Sequence, residues 1–316
     1  MAFFKRKLFK KVPKHEVLQD LPASAEPWRS YNDLNDGWKE NYYLTLLSKI
    51  GEKTTKVLNK PDVSSDTVNI MLLGYVQSGK SSTINSFYSI LDKEICKRAK
   101  SGESTTSFTQ KYTSYKLEDK LDKIVLYDIM GIELGPNQGV LVKDIQGCIV
   151  GDIKHDYKFN PCAEHKSTSD KDLERKEIHC VMYCVDAESV DEDVIPGFET
   201  KMQDIESELR VASQDRIVLV TKIDAVCPET KADITQIFQS TKVKTVVEKA
   251  ASVFRVPVNQ VFPIKNYTNE METDGNKNIP LLLALKKAVD FGTDYLRQRL
   301  DEKHRVYKGD KQESTS

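Results

Sequence analysis

A nine-residue stretch at positions 74–82, GYVQSGKSS, has the residue types and spacing of a phosphate-binding loop. It fits the pattern GxxxxGK[ST], in which glycines let backbone N–H groups close around phosphate oxygens. In such a loop Lys80 reaches the β- and γ-phosphates and Ser81 holds Mg²⁺, while the start of the following helix adds its positive dipole end. The pattern predicts a nucleotide phosphate site formed by Gly74, Gln77, Ser78, Gly79, Lys80, Ser81 and Ser82.

A second motif, DIMG at 128–131, stands at the end of the apolar run KIVLY. In P-loop NTPases an acidic residue at this place steadies the magnesium ion, and the glycine offers its backbone amide to the γ-phosphate. Between the two motifs, ESTTSFT supplies Thr105, Thr106 and Thr109 as candidates for a magnesium-sensing threonine, and we take Thr106. The nucleotide contacts predicted here are Asp128 and Gly131, and the predicted metal ligands are Ser81, Thr106 and Asp128.

A third motif, TKID at 221–224, predicts which base is bound. A carboxylate such as that of Asp224 accepts from guanine N1–H and the N2 amino group, whereas adenine offers no such pair of donors. The stem of Lys222 can lie along the base plane, and Thr221 completes the [NT]KxD pattern. After the last apolar run, Lys265 and Asn266 are candidates for the loop whose backbone amide meets guanine O6, although the usual SAK-like residues are absent. GTP or GDP with Mg²⁺ is the predicted ligand.

At two positions the chain lacks the residue types that small GTPases use for hydrolysis. Ras-like enzymes place a water-orienting Gln directly after DxxG, and this chain has Ile132 there. Val76 occupies a loop position where small GTPases carry glycine, so its branched side chain would crowd the space that an arginine finger enters. Both substitutions predict slow intrinsic hydrolysis, and no catalytic residue is assigned.

The elements that must position these motifs follow from short apolar runs at 68–74, 123–129, 180–186, 216–221 and 260–264. Helical patterns start at Lys80 and continue around 198–213, 229–254 and 280–303. Buried strands that do not alternate, separated by helices, specify a mostly parallel sheet covered on both faces. The predicted fold class is α/β, a doubly wound P-loop GTPase domain with an N-terminal helical extension.

The rest of the chain divides around this domain. We expect a flexible basic arm at 1–27, a helical lead-in at 28–60, the G domain at 61–303 and a disordered tail at 304–316. An insertion at 132–178 follows the γ-phosphate motif and is either a nucleotide-responsive surface for protein partners or a partly disordered loop. The arm at 1–14 mixes basic and aromatic residues, which leaves open weak contact with a membrane surface, a nuclear or polyanion-binding role, and a solvated tail.

Composition narrows the class of protein further. The formal net charge is −1, which argues neither for nor against nucleic acid, and no specific nucleic-acid partner is expected. Six scattered cysteines without a CxxC pair indicate a reducing compartment. His155, Cys162 and His165 have no familiar zinc spacing and are interpreted as loop residues. No apolar run approaches the ~18 residues of a membrane span, and the expected location is the cytoplasm.

The motifs together resemble the interferon-induced protein 44 and 44-like family of P-loop GTP-binding proteins. The resemblance rests on PWR at 27–29, NIMLLG with SGKSS, TTSFTQKYTSY, KDIQGCIVGDIKHDYKFNP, IHCVMYCVDA, VTKID and IKNYT. It implies a cytoplasmic GTPase-like protein linked to innate antiviral or immune responses. It also implies phosphate and guanine roles for Gly79, Lys80, Ser81, Asp128, Thr221, Lys222 and Asp224.

Three functions stay open from the sequence. The preferred one is a nucleotide-dependent switch or scaffold in immune defence, with slow or partner-assisted hydrolysis that requires Mg²⁺. A homodimer would supply the missing groups if assembly stimulates a GTPase. A module that holds GTP without hydrolysis, and recruits partners through the insertion, is the alternative.

Overall fold

The computed structural model describes residues 26–30, 38–39, 41–100, 110–133, 135, 138–165, 176–192, 204–205, 207 and 215–313. Within them lie six strands: β1 Val68–Gly74, β2 Thr113–Lys116, β3 Ile124–Asp128, β4 Cys180–Asp186, β5 Arg216–Thr221 and β6 Val261–Pro263. They form one sheet in the order β2-β3-β1-β4-β5-β6. Neighbouring strands run parallel, except that β2 is antiparallel to β3. The predicted α/β class with a mostly parallel sheet is confirmed.

The described residues also contain eight α-helices: α1 Tyr42–Leu58, α2 Lys80–Asp92, α3 Val142–Ile149, α4 Ala187–Asp191, α5 Ile223–Val226, α6 Pro228–Ala232, α7 Thr241–Val253 and α8 Gly275–Glu313. Every residue of β1 and β3 is buried, as strands covered on both faces must be. Helix α8 packs across β1, β4, β5 and β6, and α7 packs on β5 and β6. Among the described residues, no helix has the length and apolar character needed to cross a membrane.

The helical lead-in belongs to the same hydrophobic core as the sheet. Leu46, Leu47 and Ile50 of α1 are buried members of that core, and α1 packs along α8. An ion pair between Lys53 and Asp290 links the two helices. Within the predicted helical lead-in at 28–60, the helix begins at Tyr42, and its apolar face is covered by the domain.

A short segment before α1 covers the outer edge of β6. The backbone N–H of Trp28 donates to the backbone carbonyl of Phe238 at 2.9 Å, and the Trp28 ring packs edge-on against the Phe238 ring. The Arg29 guanidinium donates to the carbonyls of Val258 and Val261. The contact with Val261 occupies a carbonyl of the edge strand β6, and the other two fix the segment to the turns beside it.

Three elements differ from the sequence prediction. Strand β2 was not predicted, because its residues TSYK are only partly buried and an edge strand needs no apolar run. Helix α8 continues to Glu313, where the sequence favours a disordered tail from 304, because its polar residues are mostly good helix formers. The helical pattern at 229–254 is divided into α6, a 3₁₀ turn at Ile234–Phe238, and α7. Most of the helix predicted at 198–213, and the arm at 1–14, lie outside the described residues.

Candidate functional site

The phosphate-binding motif lies where the mechanism requires, between the end of β1 and the start of α2. Gln77 and Gly79 both have left-handed backbones, with φ of 66° and 91°. A Cβ at Gly79 would lie 3.1–3.2 Å from three atoms of the Thr221 side chain. Glycine is therefore favoured at position 79 both by backbone conformation and by the close approach of β5.

The Lys80 ammonium is held within this loop. Its Nζ donates to the carbonyls of Gly74 at 2.9 Å and Tyr75 at 2.7 Å, and the residue is buried. Desolvation lowers the pKa of Lys80, and the nearby Asp128 carboxylate opposes that shift. A phosphate group bound beside Lys80 would favour the charged form further, so the lysine is oriented for an anionic ligand.

The residues predicted to hold magnesium are brought together. Ser81 Oγ donates to Asp128 Oδ2 at 2.8 Å, across the gap between α2 and β3. Asp128 is 1% exposed, and a hydroxyl beside a carboxylate is the kind of oxygen donor set that Mg²⁺ takes together with substrate phosphates. These two residues fit the ion, whereas Thr106 lies outside the described residues. No cluster of three His, Cys, Asp or Glu side chains suited to a metal occurs in the part of the chain that the structure describes.

The TKID motif begins at the end of β5, beside the phosphate loop. Thr221 is fully buried, and its hydroxyl donates to the Ser78 carbonyl at 2.8 Å. Lys222 has a left-handed backbone (φ 54°), which turns the chain into α5, and its side chain is exposed. Asp224 and Lys265 lie side by side, with 3.7 Å between Oδ2 and Nζ. Thr221 thus braces the phosphate loop, and the two loops predicted to recognise guanine are adjacent.

Asn266, the second candidate in the last loop, is placed differently from Lys265. It is 6% exposed, and its side chain contacts Thr83, Ser86 and Gly79 on the inner side of α2. The sequence analysis did not identify Thr83 and Ser86 as residues that support the site. The signal was the run of hydroxyl residues along α2, because serine and threonine inside a helix often mark buried hydrogen bonds.

The segment after Gly131 is fixed to the phosphate loop. Ile132 N–H donates to the Gly74 carbonyl at 3.0 Å, and Tyr75 and Ile132 form an isolated parallel bridge. The Ile132 side chain is fully buried. A Cβ at Gly131 would come within 2.7 Å of Val76 Cγ2, so Val76 packs directly over this glycine. Position 132 therefore presents no side chain to the phosphate site.

The described part of the insertion is attached to both flanking motifs. On one side, Val140 N–H donates to the Gly131 carbonyl at 3.1 Å and leads into α3. On the other side, residues 157–159 pair with 110–112, the residues directly after ESTTSFT, through an antiparallel bridge between Lys111 and Lys158. The insertion thus connects the exits of two segments that are predicted to sense the γ-phosphate.

Comparison with known proteins agrees with this geometry. The model of the family described as 50S ribosome-binding GTPase matches residues 69–222. Interferon-induced protein 44 of Pan troglodytes is 29% identical over 236 residues, which is 72% of this chain and 53% of that protein. Interferon-induced protein 44-like of Homo sapiens is 27% identical over 237 residues, or 72% of this chain and 52% of that protein. The chain thus spans about half the length of the curated relatives it matches.

Among solved structures, one described as a probable GTP-binding protein engB aligns with 73% of this chain and 99% of its own, at 15% identity and a TM-score of 0.38. The matched family model and the sheet order agree with the predicted P-loop GTPase fold. The resemblance to the interferon-induced protein 44 and 44-like family is confirmed by the named relatives.

Proposed function

We propose that this protein is a guanine-nucleotide-dependent switch or scaffold of the interferon-induced 44-like type, with slow or partner-assisted hydrolysis that requires Mg²⁺. We also propose that it acts in the cytoplasm in innate antiviral defence. The guanine nucleotide occupies the edge of the sheet formed by the loops after β1, β3, β5 and β6, where open α/β sheets bind their ligands.

One observation carries the proposal: the groups that hold a nucleotide are assembled, while the position that would orient water is not equipped for it. Two carbonyls hold the Lys80 ammonium within the loop, and Ser81 donates to Asp128, which supports the binding of phosphate and magnesium there. Ile132 is apolar and fully buried, so it cannot position a nucleophile. Because phosphoryl transfer depends on positioning and charge stabilisation, such a site binds well and turns over slowly.

A second candidate function is a module that holds GTP without hydrolysing it and recruits partners through the insertion. The pairing of 157–159 with 110–112, and of Val140 with Gly131, favours it. A surface joined to both segments can report the bound nucleotide without any chemical step. In a switch that turns over, the same surface would be reset by hydrolysis, either alone or in a homodimer.

The test is a titration with GTP and ATP in the presence of Mg²⁺, followed by product analysis over a range of protein concentrations. Tight GTP binding with phosphate release per molecule that rises with concentration supports an assembly-stimulated GTPase. Tight GTP binding without release supports the holding module. Equal affinity for GTP and ATP would refute the guanine assignment and with it the proposed function.

The basic arm at 1–14 lies outside the described residues, and its contact with a membrane surface is a separate proposal. Vesicles that contain anionic lipid should pellet the full chain more than a chain that starts at Glu16, because six basic residues would be lost with the arm. Equal pelleting of the two chains would remove this proposal.

A further inference from the structure

We infer that Asn266 is a positioning residue that ties the guanine-side loop to the phosphate-binding helix, and that its side chain does not read the base. This inference rests on the proposed binding of a guanine nucleotide. It assigns to Asn266 a role in phosphate affinity that is the same for any nucleotide. Selection of the base is a separate role, which we assign to Asp224.

The side chain of Asn266 is fully engaged inside the protein. Its Nδ2 donates to Thr83 Oγ1 at 3.1 Å and lies 3.4 Å from the Gly79 carbonyl. Its Oδ1 accepts from the Ser86 hydroxyl at 3.3 Å. Asn266 is only 6% exposed, and both ends of its amide have partners on α2 or at its start, so the side chain is directed into the protein and away from a bound base.

The next residue strengthens the same attachment. Tyr267 N–H donates to Ser86 Oγ at 3.0 Å, so two successive residues of the loop bind the inner side of α2. The Tyr267 hydroxyl donates to Asn278 Oδ1 at 2.7 Å and accepts from the Asp274 N–H at 2.7 Å. The loop is thereby fixed to the start of α8 as well, directly after Lys265.

The other end of this network is the phosphate loop. The Gly79 carbonyl accepts from the Thr83 hydroxyl at 2.9 Å and from the Thr83 N–H at 2.8 Å. Gly79 is the residue before the first turn of α2, whose backbone amides would hold the phosphates. The Asn266 amide is therefore connected to the start of α2 by hydrogen bonds to Thr83 and Gly79.

This geometry has a specific consequence for binding. Loss of the amide removes the hydrogen bonds that Thr83 Oγ1 and the Gly79 carbonyl accept from Asn266, while Thr83 keeps its bond to Gly79 and Ser86 keeps those with Ser82 and Tyr267. The start of α2 then loses one of its links to the loop after β6, and the phosphate loop is held less firmly. Every ligand that uses the phosphate loop should then weaken by the same factor. Asp224 lies on the loop after β5, so the ratio of GTP to ATP affinity should stay unchanged.

The experiment compares wild type with Asn266→Ala for three probes with Mg²⁺: GTP, ATP and inorganic tripolyphosphate. We expect all three to bind about tenfold more weakly, the size typical of one lost buried hydrogen-bond partner. A loss confined to GTP would show that Asn266 reads the base and would overturn the inference. Unchanged affinity for all three would overturn it equally.

Thr83→Val provides a second, independent variant in case Asn266→Ala does not fold. It keeps the branched shape and removes the hydroxyl to which Asn266 donates. We expect the same uniform loss, and in the double variant a loss no larger than that of the stronger single change. Additive losses in the double variant would mean that the two residues act separately and would contradict the inference.

Melting of the nucleotide-free variants separates positioning from a general structural role. A merely structural residue would lower the melting temperature and leave the affinities, measured well below it, as in wild type. If wild type bound GTP and ATP with equal affinity, the proposed function would be wrong, whatever the variants did. The positioning role is judged instead by whether the variants lose all three probes by one factor.

Discussion

At the residue scale, the assignment of the base depends on Asp224. A carboxylate only accepts hydrogen bonds, whereas an asparagine amide offers one donor and one acceptor. Asp224→Asn should therefore weaken GTP by about tenfold or more and gain affinity for xanthosine triphosphate, whose base carries an oxygen in place of the guanine amino group. Competition titrations with both nucleotides measure the change.

Glu248→Gln is the matched control for that substitution, because Glu248 is an exposed carboxylate on α7 with only a long ion pair to Lys244. It should leave both affinities as in wild type. If Asp224→Asn kept the wild-type preference for GTP over xanthosine triphosphate, the base-reading role of Asp224 would be wrong.

A second residue-scale prediction concerns His179, which is 2% exposed and accepts the Asn69 N–H at Nδ1. Burial lowers the pKa of His179 from 6.5 to about 3. Between these values the unfolded chain binds a proton that the folded chain does not, so stability is retained above about pH 6.5 and lost as pH falls. The loss from this group is about 1.4 kcal/mol per pH unit.

The measurement is the free energy of unfolding at pH 7 and pH 5 for wild type and His179→Asn, which keeps an acceptor near the position of Nδ1. The variant should lose about 2 kcal/mol less than wild type over this interval. His304→Asn makes the same substitution at an exposed histidine and is the matched variant for comparison. Equal slopes for wild type and His179→Asn would show that His179 does not stay neutral in the folded protein.

At the scale of elements, the insertion is the part whose role the sequence left most open. Its described residues are paired with the backbone on both sides of the site, at Gly131 and at 110–112. Neither pairing follows from composition, because it depends on which strand ends lie next to each other. Of the two predicted alternatives, these pairings favour a structured surface for protein partners over a partly disordered loop.

Gly139→Ala tests this attachment. Gly139 has φ of 69°, and a Cβ there would lie 2.8 Å from the Gly131 carbonyl oxygen, so alanine should separate 139–140 from 131. Hydrogen exchange in wild type should differ between GDP and a non-hydrolysable GTP analogue over α3 and 156–159. In the variant this difference should vanish while both nucleotides still bind.

Gly147→Ala makes the same chemical change within α3, where the added Cβ would meet only the Ile153 side chain. It should preserve the nucleotide-dependent exchange. If the difference in hydrogen exchange between the two nucleotides persisted in Gly139→Ala, the contact with Gly131 would not be what couples the insertion to the nucleotide.

At the scale of the whole molecule, the lead-in helix and the G domain share one core, with α1 packed along α8. We therefore expect a single cooperative unfolding transition. Leu46→Ala removes a fully buried side chain of α1 and should lower the free energy of unfolding by about 2–5 kcal/mol. Denaturant titration followed by both fluorescence and circular dichroism measures it.

Leu44→Ala is the control on the same helix, because Leu44 is 38% exposed and should cost much less when truncated. Coincident transitions with a shifted midpoint in Leu46→Ala are the expected result. Two separate transitions, of which Leu46→Ala moves only one, would show that the lead-in folds as a unit of its own.

The sequence by itself determined the fold class and the main ligand-binding motifs. Apolar runs without alternation indicate buried parallel strands, and the glycines and Lys80 of 74–82 have a spacing with few other uses. Both signals are local, since they depend on residues close together in the chain. The predicted strands therefore agree with the structure, and Ser81 meets Asp128 because the two motifs follow the neighbouring parallel strands β1 and β3.

The tertiary structure decided which side chains face the site and which support it. Asn266 and Asp224 stand in loops of similar polarity, yet the first is buried under α2 and the second lies beside Lys265. Ile132 is fully buried because its backbone pairs with the phosphate loop, and the insertion is attached on both sides. These outcomes depend on contacts between segments far apart in the chain, for which a single sequence carries no local signal.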